Sequence, residues 1–144
     1  MGPVNDRELS AGGVVVRDRE CIVIVPHKPS PAGKRVLGLP KGHPEEGESM
    51  PEAATREVRE ETGCEAELVE KLGDVSYVYQ RKGRRIFKKV TFYRFEYRSG
   101  DVADHDHEIE EASWMGLAEA AQKLSYAGER DMAARALSRL ACDQ

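Results

Sequence analysis

Residues 42–64 read GHPEEGESMPEAATREVREETGC, and no other stretch of the chain restricts what it can become so tightly. At about 3.6 residues per turn, Glu57, Glu60 and Glu61 fall on one face of a short helix, with Glu52 a turn earlier. Glu45, Glu46 and Glu48 crowd the loop before it. Like charges at helical-neighbour spacing destabilise a helix, so this many carboxylates around one element call for a positive partner. A hard divalent cation such as Mg²⁺, which prefers oxygen ligands, is the first candidate.

The flanking residues set the limits of that helix. Ser49 suits the N-cap, and Glu52, three residues on, completes a capping box. Pro51 falls in the first turn, where its missing N–H costs nothing. Ala53, Ala54 and Val58 supply the apolar face, and Gly63 stops the helix. Arg56 is spaced to pair with both Glu52 and Glu60. Gly42 and Gly47 let the preceding loop bend tightly against the same site.

The residues Gly42, Glu48, Arg56, Glu57, Val58, Glu60, Glu61 and Gly63 resemble the Nudix box, a fixed-spacing motif of the Nudix (MutT-like) hydrolases. Cys64 stands at the last, usually aliphatic, position, a small departure because buried Cys behaves as a small hydrophobe. The resemblance implies an α/β/α sandwich with a mixed β-sheet between helices. It also implies Mg²⁺- or Mn²⁺-dependent cleavage of a nucleoside diphosphate linked to another group. Glu57, Glu60 and Glu61 would then be metal ligands, with the Gly42 carbonyl as a backbone ligand. Arg56 would orient Glu60, and Glu48 would brace the loop. The general base is left open between Glu61 and Glu108, the latter in His105-Asp106-His107-Glu108.

A chain of 144 residues is long enough for one domain with a sizeable core, here taken as residues 1–144. The net charge of −4 argues against general affinity for nucleic acid or an anionic membrane. No apolar run approaches a membrane span, and residues 1–10 lack the core of a signal peptide. Cys21, Cys64 and Cys142 form no CxxC pair, so free thiols in a reducing cytoplasm are expected. A monomer or a homodimer fits a chain of this kind.

Strand patterning is expected over residues 9–16 and 21–25, joined by Arg17-Asp18-Arg19-Glu20, and over 35–39 leading into the box. After the helix, 66–72 and 74–80 read as two strands. Arg81-Lys82-Gly83-Arg84 is a turn, and 86–97 is the longest strand candidate. A polar loop over 99–107 leads to a last strand over 109–115. Helices follow near 117–124 and 128–140, the latter with Met132, Leu137 and Leu140 at helical spacing. Strands, helix, strands, helix suits a mixed sheet covered on both faces.

Outside the box, Leu39-Pro40-Lys41-Gly42-His43 resembles the approach to the box in the diadenosine polyphosphate hydrolase branch of the family. That branch implies phosphate contacts from Lys41 and His43 and a nucleotide contact from Tyr77, or less readily Tyr79, with the other tyrosine in the core or on the sheet. His107-Glu108 and Trp114 match its late pattern, although Trp114 read plainly is a core anchor. The basic run Arg81, Lys82, Arg84, Arg85, Lys88, Lys89 suits a long polyphosphate. Leu37 departs from the branch, which has an aromatic near that position. The leading expectation is therefore hydrolysis of dinucleoside polyphosphates. The alternatives are oxidised or non-standard nucleoside triphosphates, ADP-ribose or nucleotide sugars, and a nucleotide-sensing module without chemistry.

Overall fold

Successive side chains of a strand face opposite ways, and in this chain both faces of the central strands are apolar. Along β1 (Asp6–Arg17), Val14 and Val16 lie on one side of the sheet and Ala11 and Val15 on the other. In β2 (Glu20–Pro26), Cys21 and Val23 join the first side and Ile22 the second. In β5 (Arg84–Gly100), Val90 and Phe92 take the first, Tyr93 and Phe95 the second. A sheet apolar on both faces needs a layer on each. α2 (Leu117–Lys123) and α3 (Ala127–Cys142) cover the first face through Leu117, Ala120, Met132, Ala133 and Ala136. α1 (Met50–Thr62) covers the second through Ala53, Ala54 and Val58. The result, in a computed structural model describing residues 3–30 and 32–142, is the α/β/α sandwich with a mixed sheet that the pattern implied.

The sheet runs β4-β5-β1-β2-β6, where β4 is Cys64–Arg81 and β6 is Ile109–Gly116. β1 and β5 are parallel, from Asp6 against Ile86 to Val16 against Glu96, and the other pairings are antiparallel. The edge of β1 away from β5 is shared. Its C-terminal end pairs with β2 at Val16 and Arg17, whereas Ala11 and Gly12 pair with the two-residue β3 (Lys41–Gly42). That change of partner brings the loop before α1 to the sheet and opens a crevice beside it.

The helix ends follow the sequence. The Ser49 hydroxyl accepts the Glu52 N–H at 3.2 Å, and the Glu52 carboxylate accepts the Ser49 N–H at 3.0 Å. Gly63 closes α1 in the left-handed region at φ 76°, its N–H donating to the Arg59 carbonyl. The β4–β5 turn is the two-residue Lys82-Gly83, both with positive φ, the twist that a tight hairpin prefers.

Three expectations are corrected. Residues 35–39 form no strand; only Gly38 makes an isolated bridge, to Ile24. The segment is instead held by the α2–α3 junction, where Leu37 and Ser125 exchange hydrogen bonds. The two strands over 66–72 and 74–80 are one continuous β4, because bulges near Ala66, Val69 and Leu72 absorb the irregularity and Gly73 bridges the gap. With 18 residues against 17, β4 rather than β5 is the longest strand. Cys64 is buried in the α1-side core and behaves there as the small hydrophobe expected.

Phe95 is fully buried between the sheet and α1, whereas Leu9 is 49% exposed. Phe95→Ala should cost about 3–5 kcal/mol and Leu9→Ala less than about 1 kcal/mol. Urea titrations followed by circular dichroism check both, and equal costs would contradict this layering.

Candidate active site

Arg56 sits at the centre of the carboxylates. Its guanidinium meets Glu48 with a two-pronged fork, Nε to Oε2 at 2.8 Å and Nη2 to Oε1 at 3.0 Å. Nη1 donates to Glu57 at 2.7 Å and to Glu60 at 3.3 Å, and Nη2 also reaches the His43 carbonyl at 2.9 Å. Glu45 adds an ion pair at 2.9 Å. The expected pairing with Glu52 is not made, since that carboxylate caps the helix. Glu48 also accepts the Glu45 N–H, so it braces the loop as implied. The remaining box carboxylate, Glu61, turns to β3 and accepts the Lys41 N–H at 2.9 Å.

Their protonation reflects these surroundings. Hydrogen bonds from Arg56 hold Glu48 down at about 2. Burial pushes Glu57 up to about 7 against the pull of Arg56, with the Glu60 charge adding to the rise. Burial also pushes Glu61 up to about 8; the Lys41 amide opposes this, and the Glu57 and Asp106 charges add to it. Two desolvated carboxylates this close resist ionising together without more positive charge nearby.

The donor set is all oxygen and suits a hard divalent cation. Among the described residues, however, no three His, Cys, Asp or Glu side chains already form a group ready to hold a metal ion. Arg56 engages Glu48, Glu57 and Glu60, and a cation would compete with it for those oxygens. Gly42 fits the same picture, because a Cβ there would occupy the position of the Glu57 carboxylate.

A cavity of about 710 Å³ opens beside the cluster. Lys41 and His43, on either side of Gly42, both line it, as do Tyr77 and Lys88. The four residues expected at the substrate therefore share one cavity. Tyr79 lines it too. Residues two apart on a strand share a face, so neither tyrosine is a core residue, and their ring centroids stand 6.1 Å apart. Tyr79 donates to Glu8 at 2.6 Å. Lys88 makes no ion pair among the described residues, and burial beside Lys41 lowers its proton affinity.

Other expected residues stand elsewhere. Glu108 is exposed, its N–H donating to the Asp106 carboxylate and its carbonyl accepting from His27. Asp106 is the residue of that loop that reaches α1, its N–H bonding the Glu60 carbonyl at 2.9 Å. Trp114 packs edge-on against Tyr97 under Arg17, on the α1 side of the sheet. Two of the six basic hairpin residues pair across to β1, Arg81 with Glu8 and Arg84 with Asp6. Sequence reading missed Tyr126 and Glu129, which line the cavity from the start of α3 and the turn before it. The only signal for Tyr126 was an aromatic in an otherwise polar helix–helix junction.

Gly42→Ala should displace Glu57 and weaken Mn²⁺ binding by at least about tenfold, the scale of a disturbed ligand support. Titration calorimetry reads the affinity, and an unchanged helical circular dichroism spectrum confirms the fold. Unaltered affinity would remove Glu57 from the cation site.

A family model described as the NUDIX domain matches residues 6–136. The chain is 36% identical over 132 residues to the "Putative mutator protein MutT4" of Mycobacterium tuberculosis, covering 88% of this chain and 53% of that protein. It is 33% identical over 101 residues to an 8-oxo-(d)GTP phosphatase of Mycolicibacterium smegmatis, covering 70% of this chain and 30% of that protein. The chain thus spans about half the length of the first of these relatives and under a third of the second. Among solved structures, an Ap4A hydrolase of C. elegans superposes with a TM-score of 0.70 at 22% identity, covering 94% of this chain and 98% of that one; the likeness is one of fold. With the motif, the fold and the family model in agreement, the chain belongs to the NUDIX domain family.

Proposed function

We propose that this chain hydrolyses a phosphoanhydride bond of a nucleoside triphosphate carrying an oxidised or otherwise non-standard purine. The observation that carries this is the junction at residues 41–43. Lys41 lines the cavity with its side chain and binds Glu61 with its backbone, so a ligand in the cavity lies next to the box carboxylates. Glu57, Glu60 and Glu61, with the Gly42 carbonyl, would hold Mg²⁺ or Mn²⁺. Such a cation supplies charge neutralisation at the diphosphate and a Lewis acid for the reacting phosphorus. Arg56 keeps the carboxylates aligned on α1, and Lys41, His43 and Lys88 offer positive or hydrogen-bonding groups to phosphate oxygens. Tyr77 and Tyr126, each a little over 40% exposed, give the base aromatic faces, with Tyr126 in the role that Leu37 cannot fill. Of the two carboxylates open as general base, Glu61 is the one that meets the cavity-lining Lys41 through its backbone, so the attacking water gives up its proton to Glu61 rather than to exposed Glu108.

Two considerations favour triphosphates over dinucleoside polyphosphates. The two relatives reported above, among several that match, carry names from the mutator and 8-oxo-(d)GTP class. Two of the three hairpin arginines that would embrace a long polyphosphate, Arg81 and Arg84, are already paired with Glu8 and Asp6. The dinucleotide reading is the second, supported by the shared cavity of Lys41, His43, Tyr77 and Lys88. Neither relative's whole length is represented in this chain, so substrate choice is tested on the chain itself.

With Mg²⁺, kcat/KM for 8-oxo-dGTP should exceed that for diadenosine tetraphosphate and for ADP-ribose by at least about tenfold, a difference of roughly 1.4 kcal/mol in transition-state binding. Preference for diadenosine tetraphosphate would reinstate the second reading, and no turnover of any pyrophosphate would leave only a binding module. In the same assay Glu61→Gln should lose at least about 100-fold in kcat, while Glu108→Gln stays within about threefold.

A further inference from the structure

α3 begins with a buried acid that the chemistry outlined above does not use. Glu129 is 4% exposed and stands in the first turn of α3, with both of its oxygens occupied. Oε1 accepts the Leu39 N–H at 2.8 Å, and Oε2 meets the Lys41 ammonium at 2.9 Å. One carboxylate thus grips the segment before the box at two points two residues apart. Gly38 makes the approach close, since a Cβ there would stand 3.2 Å from Oε1. On the far side of the same segment, the Lys41 N–H donates to Glu61.

We propose that Glu129 is a positioning residue for the carboxylate site, acting through the 39–41 segment that it holds at the Leu39 N–H and the Lys41 ammonium. A buried carboxylate is costly unless its charge and lone pairs are matched, and here the matching partners are the backbone and side chain of the 39–41 segment. β1 holds this segment from one side, through Gly13 to Pro40 and through β3. Glu129 holds it from the other and fixes the depth at which the Lys41 amide meets Glu61. It also keeps the Lys41 ammonium at a set place in the cavity, within 6.0 Å of the Tyr126 ring. The segment carries no ladder of its own beyond β3 and one bridge, so its geometry is set by these lateral holds. By this route the last helix, remote in sequence from the box, governs how well Glu61 is presented to a cation.

The inference rests on the hydrolase reading and is tested with the intact chain. Glu129→Ala, Glu129→Gln, Lys41→Met and wild type are compared by Mn²⁺ calorimetry, by kcat and KM for 8-oxo-dGTP, and by thermal unfolding. Glu129→Ala should weaken Mn²⁺ binding by about tenfold and lower kcat by more than tenfold, with KM moving less than kcat. Glu129→Gln keeps an acceptor for the Leu39 amide and should recover much of the Mn²⁺ affinity. Lys41→Met keeps the backbone donor to Glu61, so its loss should fall mainly on KM. A lowered unfolding temperature in Glu129→Ala, with Mn²⁺ affinity and kcat equal to wild type below that temperature, would overturn the proposal and leave the hydrolase reading intact. Should Glu129→Ala fail to fold, Glu129→Gln decides: since it keeps the acceptor for the Leu39 amide, a full tenfold loss of Mn²⁺ affinity would overturn the proposal. Wild type that neither binds Mn²⁺ nor turns over would overturn both.

Discussion

The structure depends on one guanidinium placed among too many carboxylates. Arg56 meets Glu45, Glu48, Glu57 and Glu60 within 3.3 Å and leaves Glu61 to a backbone amide. Without it, α1 would carry like charges at neighbour spacing on a face half-turned to the core, which is an unstable helix. With it, the acids are ordered but not saturated. Hydrogen bonds from Arg56 hold Glu48 well below the usual carboxylate range, while burial raises the proton affinity of Glu57 and Glu61 by more than Arg56 and Lys41 lower it. That unmet demand is the physical reason to expect a cation, and it arises from the protein's own electrostatics.

The sandwich supplies the second requirement, a place for substrate next to that cluster. β1 divides one edge between β2 and β3, which lets residues 41–43 reach both the box helix and the cavity. α3 closes the cavity from the other side with Tyr126 just before it and Glu129 in its first turn. No helix among the described residues is long and apolar enough to cross a membrane, and the three cysteines are unpaired, two of them buried. The box carboxylates and the cavity adjoin where sheet, box helix and last helix meet.

Much of this was legible in the residues, and the exceptions have physical reasons. The capping box at Ser49 and Glu52, the stop at Gly63 and the turn at Lys82-Gly83 are local, so local sequence specified them. The carboxylate helix was legible because its spacing is dictated by one turn of helix. Residues 35–39 were not, because their backbone is satisfied by Ser125 and Glu129, some 90 residues away, and not by a ladder. Tyr77 and Tyr79 did not have to be chosen between, because residues two apart on β4 share a face and both line the cavity. Glu129 was invisible for a different reason: a lone acid at a helix start reads as a solvated cap, and only the fold shows that it faces Lys41. The pairing of Arg81 and Arg84 was not legible either, because it depends on β1 placing Glu8 and Asp6 beside the hairpin, more than 70 residues away in sequence.

The central claim is that Glu57, held by Arg56, and Glu61, held by the Lys41 amide, form a cation site that neither partner satisfies. Calorimetric titration of Mn²⁺ into wild type and into the Glu57→Gln/Glu61→Gln double variant tests it most directly. Saturable binding by wild type, weakened by at least about 100-fold in a double variant that keeps its helical spectrum, is the predicted result. Equal binding by the two proteins, or none by wild type, would contradict it.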